Sequence, residues 1–215
     1  MSQRVELVFI LDRSGSMSGL EEDTIGGFNA MIEKQKKVEG QCIVSTVLFD
    51  DQFEVLHNRV PLHDVKKMTS EDYYVRGSTA LLDAVGRSIT KISGIHRHLG
   101  KDERPEKVLF VITTDGMENA SVSYSYQDIK KMITVETEEY GWEFIFLGAN
   151  IDSIGEAHRM GIRKERVANY HNDQKGTTTN YETLSDTIKE FRMEHMIRDD
   201  WNQKINEDFK KRSKK

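Results

Sequence analysis

The sequence is poor in cysteine, in proline and in long apolar runs. It has one cysteine, Cys42, and two prolines in 215 residues, so it cannot form an internal disulfide, and a reducing, cytoplasmic location is expected. No stretch approaches the roughly 18 consecutive apolar residues of a membrane-spanning helix. The apolar run at residues 5–11 is short, contains Glu6 and lacks a cleavage site of small residues, which argues against a signal peptide. We therefore expect a soluble protein with no membrane partner.

An excess of positive charge is also missing. The 31 Lys and Arg residues are outnumbered by 36 Asp and Glu residues, which gives a formal net charge of −5. A chain with this balance has no electrostatic attraction to nucleic acid, so no nucleic-acid partner is expected. The basic run FKKRSKK at residues 209–215 is the local exception, and we interpret it as a solvated, frayed terminus.

What the sequence does contain is a series of short, nearly continuous apolar runs. Four of them predict strands buried on both faces: Val5–Leu11, Cys42–Phe49, Lys107–Thr114 and Glu143–Ala149. Phe53–Val60 predicts an antiparallel partner for the second strand, and Arg166–His171 predicts a weaker last strand. Between the strands, apolar residues recur at helical spacing. The alternation predicts an α/β fold: a Rossmann-like, doubly wound, mostly parallel central sheet with one antiparallel edge strand and helices on both faces.

The chain changes character after residue 171. The polar stretch NDQKGTTTN at residues 172–180 predicts a loop. Two apolar stripes at helical spacing follow, the second displaced from the first: Leu184, Ile188, Phe191 and His195, then Ile197, Trp201, Ile205 and Phe209. We therefore divide the chain into a domain at 1–171 and a helical extension at 172–215. The second stripe either packs on its own domain through a bend or docks on a partner, which includes self-association through this helix.

Side chains with oxygen donors follow three of the predicted elements. DRSGSM places Asp12, Ser14 and Ser16 after the first strand, TTDGMEN places Asp115 after the strand at 107–114, and RGSTALLDA places Thr79 at a helix start. Because the carboxyl ends of parallel strands meet at one crevice, we expect these side chains to converge. Five oxygen donors without nitrogen or sulfur indicate Mg²⁺, Mn²⁺ or Ca²⁺ rather than zinc or copper. Such an ion would keep a position open for an anionic oxygen, for example from another protein's Asp or Glu.

At these residues the sequence resembles the von Willebrand factor type A domains. DRSGSM matches the D-x-S-x-S signature of their metal-ion-dependent adhesion site (MIDAS), and Thr79 and Asp115 occupy the places of its second and third loops. The resemblance covers about residues 4–171. It implies a complete ligand set, with Ser14 and Ser16 usually binding the metal directly: Asp12, Ser14, Ser16, Thr79 and Asp115.

The same resemblance implies a function. Domains of this family are metal-dependent protein-interaction modules in which a partner's carboxylate often completes the coordination of Mg²⁺ or Mn²⁺. The stand-alone type found in bacteria often works beside an AAA-type ATPase or in a stress-response system. The resemblance therefore implies a protein ligand, bound through an Asp or Glu carboxylate.

An enzymatic alternative is a Mg²⁺-dependent phosphohydrolase on the same type of sheet. Such enzymes place a nucleophilic aspartate after the first strand, but they have a second acid two residues later, where this chain has Ser14. They also need a basic residue for the phosphate, for which Arg13 is the best candidate. The chain contains no G-x-S-x-G, no G-x-x-x-x-G-K-[ST] and no G-x-G-x-x-G motif. We therefore expect no enzymatic activity and assign no catalytic residue.

A few residues near these motifs have two interpretations. Thr79 could be a helix N-cap as well as a ligand. Met17 and Met117 could form an apolar rim for a partner or pack in the core. The segment His96–His98 is interpreted as a solvated helix end rather than a zinc site, because residues two apart do not share a helix face. Three acids in or near the loops could tune the charge of the site, but the default interpretation is that they are ordinary solvated acids: Asp50, Asp83 and Glu118.

Overall fold

Apolar strands and amphipathic helices alternate along the chain in the computed structural model, which describes residues 4–149 and 151–213. The strands in these residues are β1 (Arg4–Asp12), β2 (Gln41–Phe49), β3 (Phe53–Pro61), β4 (Lys107–Thr114), β5 (Glu143–Ala149) and β6 (Val167–Tyr170). The α-helices are α1 (Glu21–Gln35), α2 (Leu81–His98), α3 (Tyr126–Tyr140), α4 (Ser153–Arg159), α5 (Gln174–Glu194) and α6 (Gln203–Arg212). Each strand predicted from an apolar run is present, including the weakly predicted β6.

The strands form one sheet in the order β3-β2-β1-β4-β5-β6. All neighbours pair in parallel except β2 and β3, which are antiparallel. The chain passes from β1 to β2 on one side and later returns to β4 on the other side, so the strand order reverses between β1 and β4. The carboxyl ends of these two strands therefore border the crevice where doubly wound sheets bind ligands. The predicted fold class is confirmed.

Both faces of the sheet are buried. In β1, Leu7, Phe9 and Leu11 pack with residues of α1 and α5, while Val8 and Ile10 pack with residues of α2, α3 and α4. All five side chains are at most 2% exposed. Burial on both faces explains why the strand sequences are continuously apolar rather than alternating.

The first two turns of α5 occupy a stretch that the sequence analysis predicts as a loop. Asp173 is the N-cap of this helix, and its side chain accepts a hydrogen bond from the Gly176 N–H at 2.8 Å. The hydroxyl groups of Thr178 and Thr179 donate to carbonyl oxygens one turn earlier, each at 2.8 Å. The loop prediction for residues 174–180 is wrong, because the cap and these local hydrogen bonds support a helix in a polar sequence.

The chain bends after α5. His195 ends the helix with a left-handed backbone conformation (φ 58°). Beyond the bend, Ile197, Trp201 and Ile205 are at most 7% exposed, and the Trp201 indole N–H donates to the Glu165 carbonyl at 2.7 Å. The second apolar stripe therefore packs on its own chain, beside the edge strand β6.

The first residues of the basic run at 209–215 belong to a helix and form ion pairs. Residues 209–212 are the last turn of α6, and Arg212 pairs with Asp173 and with Asp208. Residues 214 and 215 lie outside the described residues. The interpretation as a frayed terminus is therefore wrong for the start of the run.

A buried acid interrupts the apolar sequence of β1. Glu6 is 0% exposed and hydrogen-bonds with Arg59, at 2.7 and 3.1 Å, and with His96, at 2.7 Å. Burial would raise the pKa of Glu6, but the hydrogen bonds with His96 and Arg59 outweigh it and lower the pKa. The expected solvated helix end at His96 is wrong, because the last turn of α2 packs on this acid.

The structure accounts for the single cysteine and agrees with the lack of long apolar runs. Cys42 is buried in β2, and burial raises the pKa of its thiol to about 12. A thiol in this environment behaves as a small apolar side chain. Across residues 4–149 and 151–213, each helix is too short or too polar to cross a membrane.

Candidate metal centre

β1 places the first three candidate ligands. Asp12 is the last residue of this strand and is 1% exposed. A short 3₁₀ turn over Gly15–Met17 follows, so that Ser14 and Ser16 lie directly beyond the strand end. The Ser14 N–H donates to Asp12 Oδ1 at 2.7 Å. The buried strand thus fixes the start of a loop whose side chains are polar.

The loops before α2 and after β4 meet this first loop. Thr79 Oγ1 donates to Ser14 Oγ at 3.0 Å, and Ser14 Oγ lies 3.1 Å from Ser16 Oγ. Ser16 Oγ in turn donates to Asp115 Oδ1 at 2.5 Å. The five residues selected from the sequence therefore lie together in one hydrogen-bonded group, in which Asp12 is connected through the Ser14 backbone N–H and the other four through side-chain oxygens.

The spacing of these oxygens suits a small divalent cation. In an octahedral shell with metal–oxygen bonds of about 2.1 Å, adjacent ligand oxygens lie about 3.0 Å apart. The hydroxyl oxygens of Ser14, Ser16 and Thr79 have this separation along their chain of contacts. In the described part of the chain there is no group of three or more His, Cys, Asp and Glu residues that could hold a metal. A metal here would therefore be held by two carboxylates supplemented by hydroxyl groups.

Gly116 leaves the space that these hydroxyls occupy. A Cβ atom at this position would lie 2.8 Å from Thr79 Oγ1 and 3.0 Å from Ser16 Oγ. Both distances are too short for a side chain without displacement of the two hydroxyl groups. The glycine that follows Asp115 in TTDGMEN is thus a steric requirement of the site.

The two acids of the site have no basic partner in the part of the chain that the structure describes. Within residues 4–149 and 151–213, no Lys, Arg or His side chain forms an ion pair with Asp12 or Asp115. Burial raises the pKa of Asp12 to about 6, although hydrogen bonds with Thr114 and Ser14 act in the opposite direction. Burial also raises the pKa of Asp115. A cation between the carboxylates would favour their ionised forms and thereby lower both pKa values.

Further residues that the sequence analysis did not select hold Asp12. Thr114, the last residue of β4, donates from Oγ1 to Asp12 Oδ2 at 2.5 Å. The Tyr73 hydroxyl donates to the Asp12 backbone carbonyl at 2.5 Å. Thr114 lies within TTDGMEN, directly before Asp115, and could have been selected for that reason. Tyr73 lies in a segment without regular structure, and no sequence pattern connects it with the site.

Two asparagines hold the other loops. Asn119 Oδ1 accepts from the Thr79 backbone N–H at 2.9 Å. Asn172 Nδ2 donates to Asp115 Oδ2 at 2.6 Å. Asn119 belongs to TTDGMEN, whereas Asn172 lies in the predicted loop after residue 171, for which the sequence offers no sign of a role at this site.

The acids interpreted as solvated are all engaged with the protein. Asp50 is 0% exposed and pairs with Arg13 at 3.0 Å and Arg76 at 2.7 Å. Glu118 and Asp83 accept backbone N–H hydrogen bonds at the start of α2 and in the loop after β4. The solvated interpretation is wrong for all three, because each acid fixes a loop that borders the candidate site.

The structure decides between the two interpretations of Thr79, Met17 and Met117. Ala80, not Thr79, occupies the N-cap of α2, and the Thr79 hydroxyl is directed to Ser14 instead. Met17 is 3% exposed and belongs to the core. Met117 is 61% exposed two residues after Asp115, so of the two methionines it alone lies on the rim.

Comparison of the sequence finds no matching family model and no matching curated protein. Solved structures do match. Proximal thread matrix protein 1 from the mussel byssus, in a form with a zinc-occupied MIDAS motif, has 13% identity and a TM-score of 0.60, over 87% of this chain and 46% of that one. Von Willebrand factor type A from Catenulispora acidiphila has 12% identity and a TM-score of 0.59, over 86% and 42%.

A shorter structure matches over nearly its whole length. The SpRpn10 VWA domain has 11% identity and a TM-score of 0.54, over 85% of this chain and 95% of that one. The chain spans less than half the length of the other two structures. At identities of 11–13%, these likenesses show the fold.

Proposed function

We propose that this chain, which has the fold of von Willebrand factor type A domains, binds a divalent cation at the ends of β1 and β4 and uses it to hold a carboxylate of a protein partner. The observation that carries the proposal is the pair of buried acids, Asp12 and Asp115, which form no ion pair with a cationic side chain of the described residues. Buried charges in proteins are normally paired or bound to a metal.

The donor set favours a hard cation. We assign the ligands as two carboxylates and three hydroxyls: Asp12, Ser14, Ser16, Thr79 and Asp115. Mg²⁺ is the preferred occupant, with Mn²⁺ or Ca²⁺ as chemically similar substitutes. The structural neighbour from the mussel byssus has zinc in its MIDAS motif, which supports binding of a divalent metal in general.

A carboxylate from a partner fits the remaining position. Five protein groups cannot fill an octahedral shell of six, and three of the five carry no charge. An ion held in this way would attract an anionic oxygen. Met117, 61% exposed beside the site, offers an apolar contact next to that oxygen. This combination favours a partner segment with an Asp or Glu beside an apolar side chain.

The basic residue that the phosphohydrolase alternative requires is already engaged in other contacts. Arg13 is 0% exposed, and its guanidinium contacts Asp50, Glu54 and the carbonyl of Asp72. It therefore cannot compensate the charge of a phosphate beside Asp12 without breaking buried ion pairs. Ser14, where such an enzyme has its second acid, contacts Thr79 and Ser16 instead. We therefore favour a binding module without enzymatic activity.

Calorimetric titration with MnCl₂ tests the metal site. We expect wild-type protein to bind one ion per chain and the Asp12→Ala/Asp115→Ala variant to bind none, with its fold retained by circular dichroism. The matched control is Asp64→Ala/Asp102→Ala, which removes two exposed acids and should bind as wild type does. Unchanged Mn²⁺ affinity in the Asp12→Ala/Asp115→Ala variant would contradict the assignment.

A pull-down in the presence of Mg²⁺ or of EDTA tests the partner. We expect capture that requires the metal and is lost in the Asp12→Ala/Asp115→Ala variant. The resemblance favours a partner such as an AAA-type ATPase or a component of a stress-response system, in the cytoplasm. Magnesium-dependent release of phosphate from a generic ester, lost in Asp12→Asn, would instead favour the hydrolase.

A further inference from the structure

Asn172 reaches the candidate metal site from the C-terminal part of the chain. Its amide donates to Asp115 Oδ2 at 2.6 Å, while Ser16 donates to the other carboxylate oxygen, Oδ1, at 2.5 Å. The carbonyl oxygen of the Asn172 side chain is buried and has no hydrogen-bond partner among the described residues. Asn172 thus fixes one oxygen of Asp115 and leaves the other directed toward the hydroxyl groups.

The residues on either side of Asn172 are held by α6. The His171 ring stacks on Phe209, with centroids 4.6 Å apart and an angle of 25°, and its Nε2 hydrogen-bonds with the Phe209 carbonyl at 3.1 Å. Asp173 pairs with Arg212, which also pairs with Asp208 at 2.5 Å. The loop at 171–173 is therefore fastened on both sides of Asn172 by the last turns of α6.

We propose that Asn172 is a positioning residue of the metal site and that α6 keeps it in place by holding His171 and Asp173. The inference rests on the proposed metal site. An N–H donor stabilises the ionised form of a carboxylate and limits its rotation, which favours metal binding. Groups that hold a metal ligand in this way typically contribute about 10-fold to 100-fold to metal affinity.

The proposal links the extension at 172–215 to metal binding. If α6 supports the orientation of Asp115, metal binding and docking of α6 are linked, and each strengthens the other by the same factor. The C-terminal helix then belongs to the support of the site. Bound metal should slow hydrogen exchange of amides in α6, although this helix contributes no ligand.

The first test compares variants of Asn172 by calorimetry with MnCl₂. We expect Asn172→Ala to weaken Mn²⁺ binding by about 10-fold and Asn172→Gln, which keeps an amide donor, to recover part of that loss. Asn58→Ala, at an exposed position of β3, is the control and should bind as wild type does. Unchanged affinity in Asn172→Ala would overturn the inference, even if its melting temperature falls.

The second test compares two adjacent positions of α6. Arg212→Ala removes both contacts with Asp173 and Asp208, whereas Lys211→Ala removes the same charge from an exposed pair with Glu207. We expect Arg212→Ala to weaken Mn²⁺ binding by about 3-fold and Lys211→Ala to leave it unchanged. Equal affinities in these two variants, or no metal-dependent slowing of exchange in α6, would overturn the link to α6.

The two proposals fail in different ways. If wild-type protein does not bind Mn²⁺, the proposed metal site is wrong and the inference falls with it. If wild type binds Mn²⁺, binding is lost in Asp12→Ala/Asp115→Ala and the affinity of Asn172→Ala equals that of wild type, the site stands and only the role of Asn172 is wrong.

Discussion

Two buried aspartates lie at the ends of neighbouring strands, and their surroundings differ. Asp50, directly after β2, pairs with Arg13 and Arg76. Burial would raise the pKa of Asp50, but the hydrogen bonds from Arg76 and the Gln52 N–H, together with the charge of Arg13, lower it. Asp12, at the end of β1, accepts side-chain hydrogen bonds from the Ser14 N–H and the Thr114 hydroxyl, which are neutral donors, and burial raises its pKa to about 6.

The position of Arg13 makes this difference informative. Arg13 is the next residue after Asp12, yet its guanidinium faces Asp50 and Glu54. A cation is therefore available beside Asp12 but is used to hold a different loop. A buried acid with a built-in cation stabilises the fold, whereas a buried acid without one destabilises it until a cation binds. We infer that Asp50 has a structural role and that the end of β1 is arranged for a ligand.

The largest expected effect is the loss of the Asp50 charge. Asp50→Asn leaves the Arg13 guanidinium buried with Glu54 as its remaining acid, so we expect the free energy of unfolding to fall by about 3 kcal/mol. Chemical denaturation at pH 7 in EDTA measures this change without any contribution from bound metal. Asp51→Asn, the same substitution at an exposed neighbour, is the control and should change stability little.

Asp12→Asn, the same substitution at the other aspartate, should not lower the free energy of unfolding. Asp12→Asn can keep the contacts with Ser14 and Thr114, because the Thr114 hydroxyl can donate instead to the Gly116 carbonyl at 3.1 Å. We expect unchanged or higher stability in EDTA, and Mn²⁺ binding weakened by more than about 100-fold. A fall in stability similar to that of Asp50→Asn would show that the two acids have the same role.

A smaller effect is expected from crowding the hydroxyl groups. The Cβ of Gly116→Ala would displace Thr79 and Ser16, so we expect Mn²⁺ affinity to fall by about 10-fold and the free energy of unfolding by about 1 kcal/mol. Gly94→Ala in α2, where an added Cβ has no neighbour within 4 Å among the described residues, is the control. It should leave affinity unchanged and raise stability slightly, since alanine favours a helix.

The sheet and most of the candidate site could be predicted because both depend on local sequence. Continuous apolar runs locate the buried strands, and polar residues directly after β1 and β4 locate the loops at the carboxyl edge. The convergence of Asp12 and Asp115 follows from parallel strand order, whereas the position of Thr79 depends on the path of the chain between the antiparallel strand β3 and α2. The five candidate ligands were therefore selected correctly as neighbours, while their role as ligands stays a prediction.

The parts that could not be predicted depend on contacts between distant segments. The helix start at residues 174–180 relies on the Asp173 cap and on Arg212, far along the chain. Pairing of Asp50 with Arg13 and Arg76 depends on the path of the loop before α2. Polar residues give no periodic signal, so neither feature could be distinguished from solvated sequence.

A third buried acid, Glu6, lies near the start of β1 and extends the comparison of Asp12 with Asp50. Its partners are Arg59 and His96, and their hydrogen bonds lower the pKa of Glu6 below its ordinary value of 4.5 in spite of burial. The folded state therefore binds this proton less tightly than the unfolded state does. The resulting stabilisation is present above about pH 4.5 and is lost as the pH falls through the lowered pKa.

We expect Glu6→Gln to lower the free energy of unfolding by about 1 kcal/mol at pH 7, because glutamine keeps one acceptor but no charge. The variant should also show a weaker loss of stability than wild type when the pH is lowered from about 5 to 3. Urea denaturation at several pH values measures both effects, with the exposed substitution Glu71→Gln as the control. A pH dependence identical to that of wild type would show that the Glu6 pairing does not set acid stability. In that case a fixed cationic partner would not decide whether a buried acid stabilises the fold, and the proposed difference between Asp50 and Asp12 would be wrong.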